Sequence, residues 1–373
     1  MPNVIKVQLG ARSYPIHIGA GLLPQLGALA APLLRGRNAL LVSDSHVHPL
    51  FGETVAASLR AAGFKVAHSV VPAGEASKCG EQLFALYEAA KQAGLDRAGI
   101  VVALGGGVVG DLAGYLAASW LRGIAFVQVP TTLLAMVDSS VGGKTGINLP
   151  SGKNLVGAFH QPALVVADLE TFATLPPRET RAGLAEVVKY GCISDAQFFQ
   201  TLEKHAALFS KPWKNLAADE RELFAQVIAR CCELKAQVVA GDEREESGLR
   251  ALLNFGHTLG HAIETATGYG AVLHGEAVAI GMVKAAQLSV RLSGLSAAEA
   301  ARIEQLLMQL GLPVRAQALA WPELKAAMTL DKKAQGGVPR FVLLKKLGEA
   351  ISGCVVPEEV LQAAGTELDG SAA

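Results

Sequence analysis

The run Ile100 to Asp111, IVVALGGGVVGD, constrains the fold of this chain more than any other stretch. Its apolar residues suit a buried strand, and the glycines after them mark a turn into the next element. Gly105, Gly107 and Gly110 satisfy G-x-G-x-x-G between a strand and a helix. A loop of that kind lets a pyrophosphate approach a helix N-terminus, where unpaired N–H groups and the helix dipole favour anions. A glycine loop that only turns the chain satisfies the same pattern. The fingerprint also falls late in the strand series instead of at its first strand, and Asp44, at the end of an earlier strand, is placed to take a ribose.

The residues around that run alternate between two periodicities. Val4 to Leu9 and Tyr14 to Ile18 read as an opening hairpin. Strands follow at Ala39 to Ser43, Phe64 to Val71, Ile100 to Leu104, Ile124 to Val129 and Leu164 to Ala167, with helices at Pro49 to Ala62 and Ser77 to Ala93. This alternation predicts a Rossmann-like parallel sheet covered by helices, an α/β domain over residues 1–179. From about Thr180 the strands stop. Arg181 to Gly191, Asp195 to Phe209, Ala218 to Ala240, Phe255 to Thr267, Gly275 to Leu292 and Ala297 to Leu310 carry helical periodicity, which predicts a mainly helical, all-α C-terminal domain over residues 180–373. Pro176 and Pro177 mark the expected boundary.

Charge excludes one class of partner. Thirty-three basic residues balance thirty-three acidic ones, so no global field attracts nucleic acid. The most apolar run, Ile100 to Leu121, is broken by glycines and Asp111 and suits a strand and loop better than a membrane span. The N-terminus lacks the layout of a signal peptide, so a cytoplasmic protein is expected. The five cysteines form no CxxC pair and indicate neither thiolate zinc nor a disulfide framework.

The richest chemistry lies in Asn254 to Glu276, NFGHTLGHAIETATGYGAVLHGE. His257 and His261, four apart, share a helical face, and Gly268 to Gly270 can turn the chain so that His274 returns toward them. Imidazoles and a carboxylate on facing helices suit Zn2+. Histidines at helical spacing are also ordinary polar residues, and spacing alone leaves both readings open. Arg250, Asn254 and His257 fall on one expected helical face leading into this stretch. In AEVVKYG, Glu186 and Lys189 lie three apart, a spacing that fits a surface ion pair or an inward carboxylate for the histidines. PAGEASK, Pro72 to Lys78, joins a strand end to a helix start, with Glu75 and Lys78 able to point into a crevice at the strand ends. Pro130 to Pro162 gathers Thr131, Thr132, Ser139, Lys144 and Lys153 with many glycines, as expected of an anion-binding loop. A solvated surface loop has the same composition.

Taken together, GEASK, ALGGGVVGDLAG, QVPTTLLAMVDSSVGGKTGIN, GKNLVGAFHQP, TLPPRE, GLAEVVKYG, LLNFGHTLGHAIE and LHGEAVAIGM closely resemble the 3-dehydroquinate synthase family of sugar-phosphate cyclases, from about Ser43 to Gly348. The resemblance implies metal ligands Glu186, His257 and His274 for Zn2+ or Co2+, with His261 facing substrate. It implies NAD contacts at Asp44, Ala73, Gly74, Glu75, Ala76, Ser77, Lys78, Gly107, Val108, Val109, Gly110, Asp111, Thr131, Thr132, Lys144, Lys153, Thr171, Phe172, Ala173 and Thr174. Substrate contacts are implied at Asp138, Lys144, Asn154, Lys189, Lys235, Arg250, Asn254, His261 and Lys333. Arg122, in LRGI, resembles an arginine that reaches phosphate in a neighbouring subunit, implying a homodimer. Trp120, Leu121 and Met136 depart from the expected pattern beside these positions. The implied reaction converts 3-deoxy-D-arabino-heptulosonate 7-phosphate to 3-dehydroquinate and phosphate, with NAD oxidising the substrate transiently and then reducing it again. A sister cyclase acting on a related sugar phosphate is one alternative. A metal-dependent polyol dehydrogenase is another, although a neutral polyol needs no set of cations such as Lys144, Lys153, Lys189 and Arg250.

Overall fold

Alternating burial opens the chain as a hairpin. Strands β1 (Asn3–Val7) and β2 (Tyr14–Gly19) pair antiparallel, with Val7, Tyr14, Ile16 and Ile18 turned inward. After a short helix α1 (Leu26–Ala30), strands and helices alternate: β3 (Asn38–Asp44), α2 (Glu53–Ala61), β4 (Lys65–Val71), α3 (Gly80–Gln92), β5 (Ile100–Gly105), α4 (Gly107–Ser119) and β6 (Ala125–Pro130). A second hairpin, β7 (Lys144–Leu149) and β8 (Gly152–Phe159), precedes β9 (Leu164–Asp168). The computed structural model describes residues 3–268, 271–316, 321–330 and 338–366.

The main sheet has the order β1-β2-β9-β6-β5-β3-β4, parallel throughout except for the β1–β2 pair. Strand β5 is buried at all six positions, as a strand covered on both faces must be. Its residues alternate between two cores. Ile100, Val102 and Leu104 join one cluster with Leu59 and Val129; Val101 and Ala103 join the other with Leu112 and Phe126. Glycines let α4 settle close to the strands. A Cβ on Gly110 would lie 2.7 Å from Gln128 Oε1, and one on Gly114 would lie 2.5 Å from Thr145 Cγ2.

From Pro176 the chain runs through α5 (Pro177–Ser194), α6 (Ala196–Lys204) and α7 (Ala206–Phe209), and then α8 (Ala218–Gly241). The contacts divide it into two units, Met1–Leu175 with Ala217–Arg244, and Pro176–Leu216 with Glu245–Ala373. The expected single cut between residues 179 and 180 differs from this division, because α8 packs on β1, β2 and the turn Ala135–Ser139. Periodicity reports that α8 is amphipathic. It does not report which core the helix covers.

In the second unit, every residue of α5 from Ala182 to Ile193 is buried, as in a helix covered on all sides. The unit continues with α9 (His257–Ala266), α10 (His274–Leu292), α11 (Ala297–Gln309), α12 (Trp321–Leu330) and α13 (Glu358–Thr366); α10 packs against α5 and α9, and α12 packs against α9. Strands also return here, contrary to expectation: β10 (Phe341–Lys346) and β11 (Glu349–Cys354) form an antiparallel hairpin. Close backbone approaches fix the helices. A Cβ on Gly275 would sit 1.8 Å from the Ala182 carbonyl oxygen, and one on Gly281 would sit 1.9 Å from that of Gly256. Gly256 itself has φ +79° and caps the start of α9, so the single helical face expected for Arg250, Asn254 and His257 is broken; the first two lie on the separate 3-10 turn Leu249–Asn254.

Candidate active site

In the second unit, three elements bring one carboxylate and three imidazoles together. The all-buried helix α5 presents Glu186, fully buried, and one turn later Lys189, whose ammonium donates to Glu186 Oε2. The pairing of Glu186 with Lys189 is therefore an ion pair and also an internal one. The other carboxylate oxygen, Oε1, is buried and receives no hydrogen bond among the described residues. It faces His257 Nε2 at 3.4 Å and His274 Nε2 at 3.9 Å.

The tautomers follow from what lies behind each ring. His257 Nδ1 is 3.1 Å from the Phe255 carbonyl, which can only accept, so that nitrogen carries the proton. His274 Nδ1 is 3.0 Å from Glu264 Oε2 and donates to it. In the neutral rings both Nε2 lone pairs then converge on a carboxylate oxygen. Lone pairs facing one another are unfavourable until a cation sits among them. Glu186, His257 and His274 place ligand atoms within 4.8 Å of one another, which fits a divalent ion with an O, N, N donor set.

His261 is a neighbour of this cluster, its ring centre 5.5 Å from that of His257 and 6.0 Å from that of His274. A second group, His261, Glu264 and His274, also lies within 4.8 Å. Its short Glu264–His274 contact is a hydrogen bond, with no room for an ion between the two atoms. Glu264 was not among the candidate residues read from the sequence. Its signal was there, because it is seven residues after His257 and three after His261 on α9, the same helical face. Arg250 is buried, with Nε 3.7 Å from Glu245, and Asn254 donates to the Ala251 carbonyl at 3.1 Å. Lys333 lies outside the described residues.

In the first unit the glycine loop opens α4, with a cradle around it. A Cβ on Gly106 would approach Thr132 Cγ2 to 3.2 Å, and one on Gly107 would approach Ser139 Oγ to 3.0 Å. The hydroxyls of Thr131, Ser139 and Ser140 are buried without a hydrogen-bond partner among the described residues. Unpaired donors beside a helix N-terminus fit the phosphates of a dinucleotide. Asp44, at the end of β3, accepts from His46 and Val47 amides at 2.8 and 2.9 Å and lies close to Gly105.

Lys78 is buried at the centre of a polar cluster beside this loop. Its ammonium donates to Asp111 Oδ2 and Asn154 Oδ1, both at 2.6 Å, with Glu75 at 3.9 Å. Burial pulls the Lys78 pKa down, but Asp111 and Glu75 outweigh it and hold it above its ordinary value. Glu75 to Ser77 form a single 3-10 turn, and the helix begins only at Gly80, three residues later than expected. Asn148 joins the pieces: it donates to Glu75 at 2.8 Å and accepts from the Asn154 amide at 2.9 Å, with Asn154 held at φ +54°.

Lys235, on α8, donates to both the carboxylate and the carbonyl of Asp138 at 2.6 Å. Lys144 and Lys153 lie on the β7–β8 hairpin, Lys144 exposed and Lys153 half-buried, where an irregular loop was expected. Thr171 to Thr174 follow β9, and Thr171 is buried with its hydroxyl donating to the Asp168 carbonyl at 2.7 Å. Ala73 and Gly74 precede the Glu75 turn, Gly74 at φ +110°. Arg122 is exposed in a run of positive φ angles, Leu121 at 51°, Arg122 at 70° and Gly123 at 119°. Two adjacent non-glycine residues in that region carry backbone strain.

Comparison with known proteins gives a consistent result. Residues 68–182 match the family described as 3-dehydroquinate synthase N-terminal, and residues 183–334 match 3-dehydroquinate synthase C-terminal. A 3-dehydroquinate synthase of Symbiobacterium thermophilum is 51% identical over 351 residues, 92% of this chain and 95% of the relative. Among solved structures, a 2-epi-5-epi-valiolone synthase from Streptomyces hygroscopicus subsp. jinggangensis, with NAD+ and Zn2+ bound, superposes with a TM-score of 0.85 at 31% identity, covering 95% of this chain and 96% of that one. A 2-deoxy-scyllo-inosose synthase complexed with carbaglucose-6-phosphate, NAD+ and Co2+ gives 0.82 at 26% identity, over 98% and 99% of the two chains. With both parts of the family pattern matched in order and half of all aligned residues shared with a synthase over nearly the whole length, this chain belongs to the 3-dehydroquinate synthase family.

Proposed function

We propose that this chain converts 3-deoxy-D-arabino-heptulosonate 7-phosphate to 3-dehydroquinate and phosphate, using NAD+ and Zn2+ or Co2+, as the shikimate-pathway step of its family. The observation that carries the reading at the level of chemistry is the buried Glu186 oxygen facing two imidazole nitrogens, a donor set that fits a divalent cation. When bound, NAD+ accepts a hydride and later returns it, while the divalent ion acts as a Lewis acid toward neighbouring hydroxyls.

The protein's own residues bind, orient and neutralise. Glu186, His257 and His274 are the proposed metal ligands. Lys189, whose ammonium donates to Glu186 Oε2, is a proposed substrate contact. Lys78 and Asp111, with Glu75, Thr131, Thr132, Lys144, Lys153 and the loop Gly107 to Gly110, are proposed to hold NAD, with Asp44 at the ribose. Asp138, Asn154, Lys235, Arg250, Asn254, His261 and Lys333 are the proposed substrate contacts, the cations matching a carboxylate and a phosphate. The strained Arg122 is proposed to act across a homodimer, and the cytoplasm is the proposed compartment. No helix among the described residues is long and apolar enough to cross a membrane.

The test is phosphate release from the heptulosonate phosphate by purified protein with Zn2+ and a trace of NAD+, with absorbance followed for NADH. Stoichiometric phosphate without net NADH, and a product identified as 3-dehydroquinate by NMR, is the expected result. Phosphate release only from a different sugar phosphate would make the protein a sister cyclase, and steady NADH formation from a polyol would make it a dehydrogenase.

A further inference from the structure

Glu264 takes no part in the proposed ligand set, yet it is a carboxylate that is nearly inaccessible inside the second unit. Burying it is costly without a partner of matching chemistry. One partner is His274, whose Nδ1 lies 3.0 Å from Glu264 Oε2 while Nε2 on the other side of the ring points toward Glu186. His274 is half-buried and is the first residue of α10, so no preceding turn of its own helix flanks the ring. His257 differs, because it is buried inside a helix start and its Nδ1 is held by a backbone carbonyl.

We propose that Glu264 is a positioning residue for the metal centre: it fixes the tautomer and the ring angle of His274, so that Nε2, and not Nδ1, is presented beside Glu186 and His257. The proposal rests on the metal reading above. Its physical basis is that a histidine ligand is aimed by the hydrogen bond on its other nitrogen, and a carboxylate there also raises the basicity of the coordinating atom. The α9–α10 segment therefore carries two ligands and the group that aims one of them. The spacing is set by the helix, since Glu264 lies two turns after His257 on the same face.

The test compares two variants of the full chain that fill the same volume. Glu264→Met removes the acceptor, and Glu264→Gln keeps an oxygen that can accept from Nδ1. The metal-free proteins are loaded with Co2+, affinity is read by competition with a chelator, and coordination is read from the visible d–d bands. The methionine variant is expected to lose about 10–100-fold in Co2+ affinity with shifted bands. The glutamine variant is expected to keep the parent bands and lose less. Parent-like affinity and bands in Glu264→Met, or equal losses in both variants with unchanged circular dichroism, would overturn the positioning role while leaving the metal site standing. Should methionine fail to pack, Glu264→Ala gives the same comparison. A parent protein that binds no Co2+ would overturn the metal reading itself, and the role of Glu264 with it.

Discussion

Glu186 and Lys189 show how a single residue carries both stability and chemistry. Both are buried on α5 and paired with each other. Replacing one partner leaves the other charge without compensation inside the core, which costs about 3–5 kcal/mol. Glu186→Gln should therefore lower the melting temperature of the metal-free protein as well as its Zn2+ affinity. The double variant Glu186→Gln/Lys189→Met should regain most of the stability and none of the metal binding, as calorimetry and metal titration on the same samples would show. At this scale the sequence was partly legible. Three histidines and the Glu186/Lys189 spacing stood out, but spacing alone paired His257 with His261. The Glu186 oxygen faces His257 and His274 instead, because α10 packs against α9 and brings His274 as near to His257 as His261, four positions along the helix. Glu264 was hidden for a related reason: a carboxylate on a helix is ordinary until its burial is known.

Among the elements, the parallel strands of the first unit were readable because burial on both faces leaves apolar runs bounded by glycine. The β7–β8 hairpin was not. Its residues are glycines, hydroxyls and lysines, with β8 alternating between half-buried and exposed positions, and that composition reads as a loop. The β10–β11 hairpin escaped for a different reason, since a short strand pair after six helical segments has no neighbouring strand signal to support it. Close helix contacts are likewise invisible in periodicity, yet they fix the α9–α10 pair that carries the histidines. Gly281→Ala would place a methyl 1.9 Å from the Gly256 carbonyl oxygen, where a backbone must move to admit it. Overpacking of this kind costs about 1–3 kcal/mol and should also weaken Co2+ binding by shifting His257 against His274. Gly80→Ala, in open space at the start of α3, is the control: its melting temperature should equal or slightly exceed that of the parent.

The course of the whole chain produces the largest departure from what the sequence alone suggested, because α8 belongs to the unit built by the first 175 residues. Three ties in that unit are polar and specific. Lys235 bonds Asp138, Cys232 Sγ donates to the Met136 carbonyl at 3.3 Å, and Glu243, just past the helix, takes a two-pronged bond from Arg12 at 3.1 and 2.5 Å. The Arg12 hydrogen bond, with a further one from Gln161, holds the Glu243 carboxyl below its usual 4.5 despite partial burial. A carboxylate whose pKa is lower in the folded chain stabilises above the unfolded value and loses that contribution as pH falls through the folded one. Glu243→Gln should thus melt below the parent at pH 7, and the two curves should converge as pH drops below about 4.5.

The apolar side of the same helix makes a stronger claim. Phe224, Val227, Ile228, Cys231 and Val239 are buried, and Phe224 packs its ring 5.5 Å from that of Phe172. A fragment ending at residue 179 keeps every strand of the main sheet but strips this cover from β1 and β2. Exposed apolar sheet surface of that extent drives association and loss of cooperative packing. The fragment should bind a hydrophobic dye and melt without a sharp transition, whereas a chain joining residues 1–175 to 217–244 through a flexible glycine–serine linker should regain a cooperative melt. A sharp, dye-free transition in the shorter fragment would mean that α8 merely rests on a unit already complete without it.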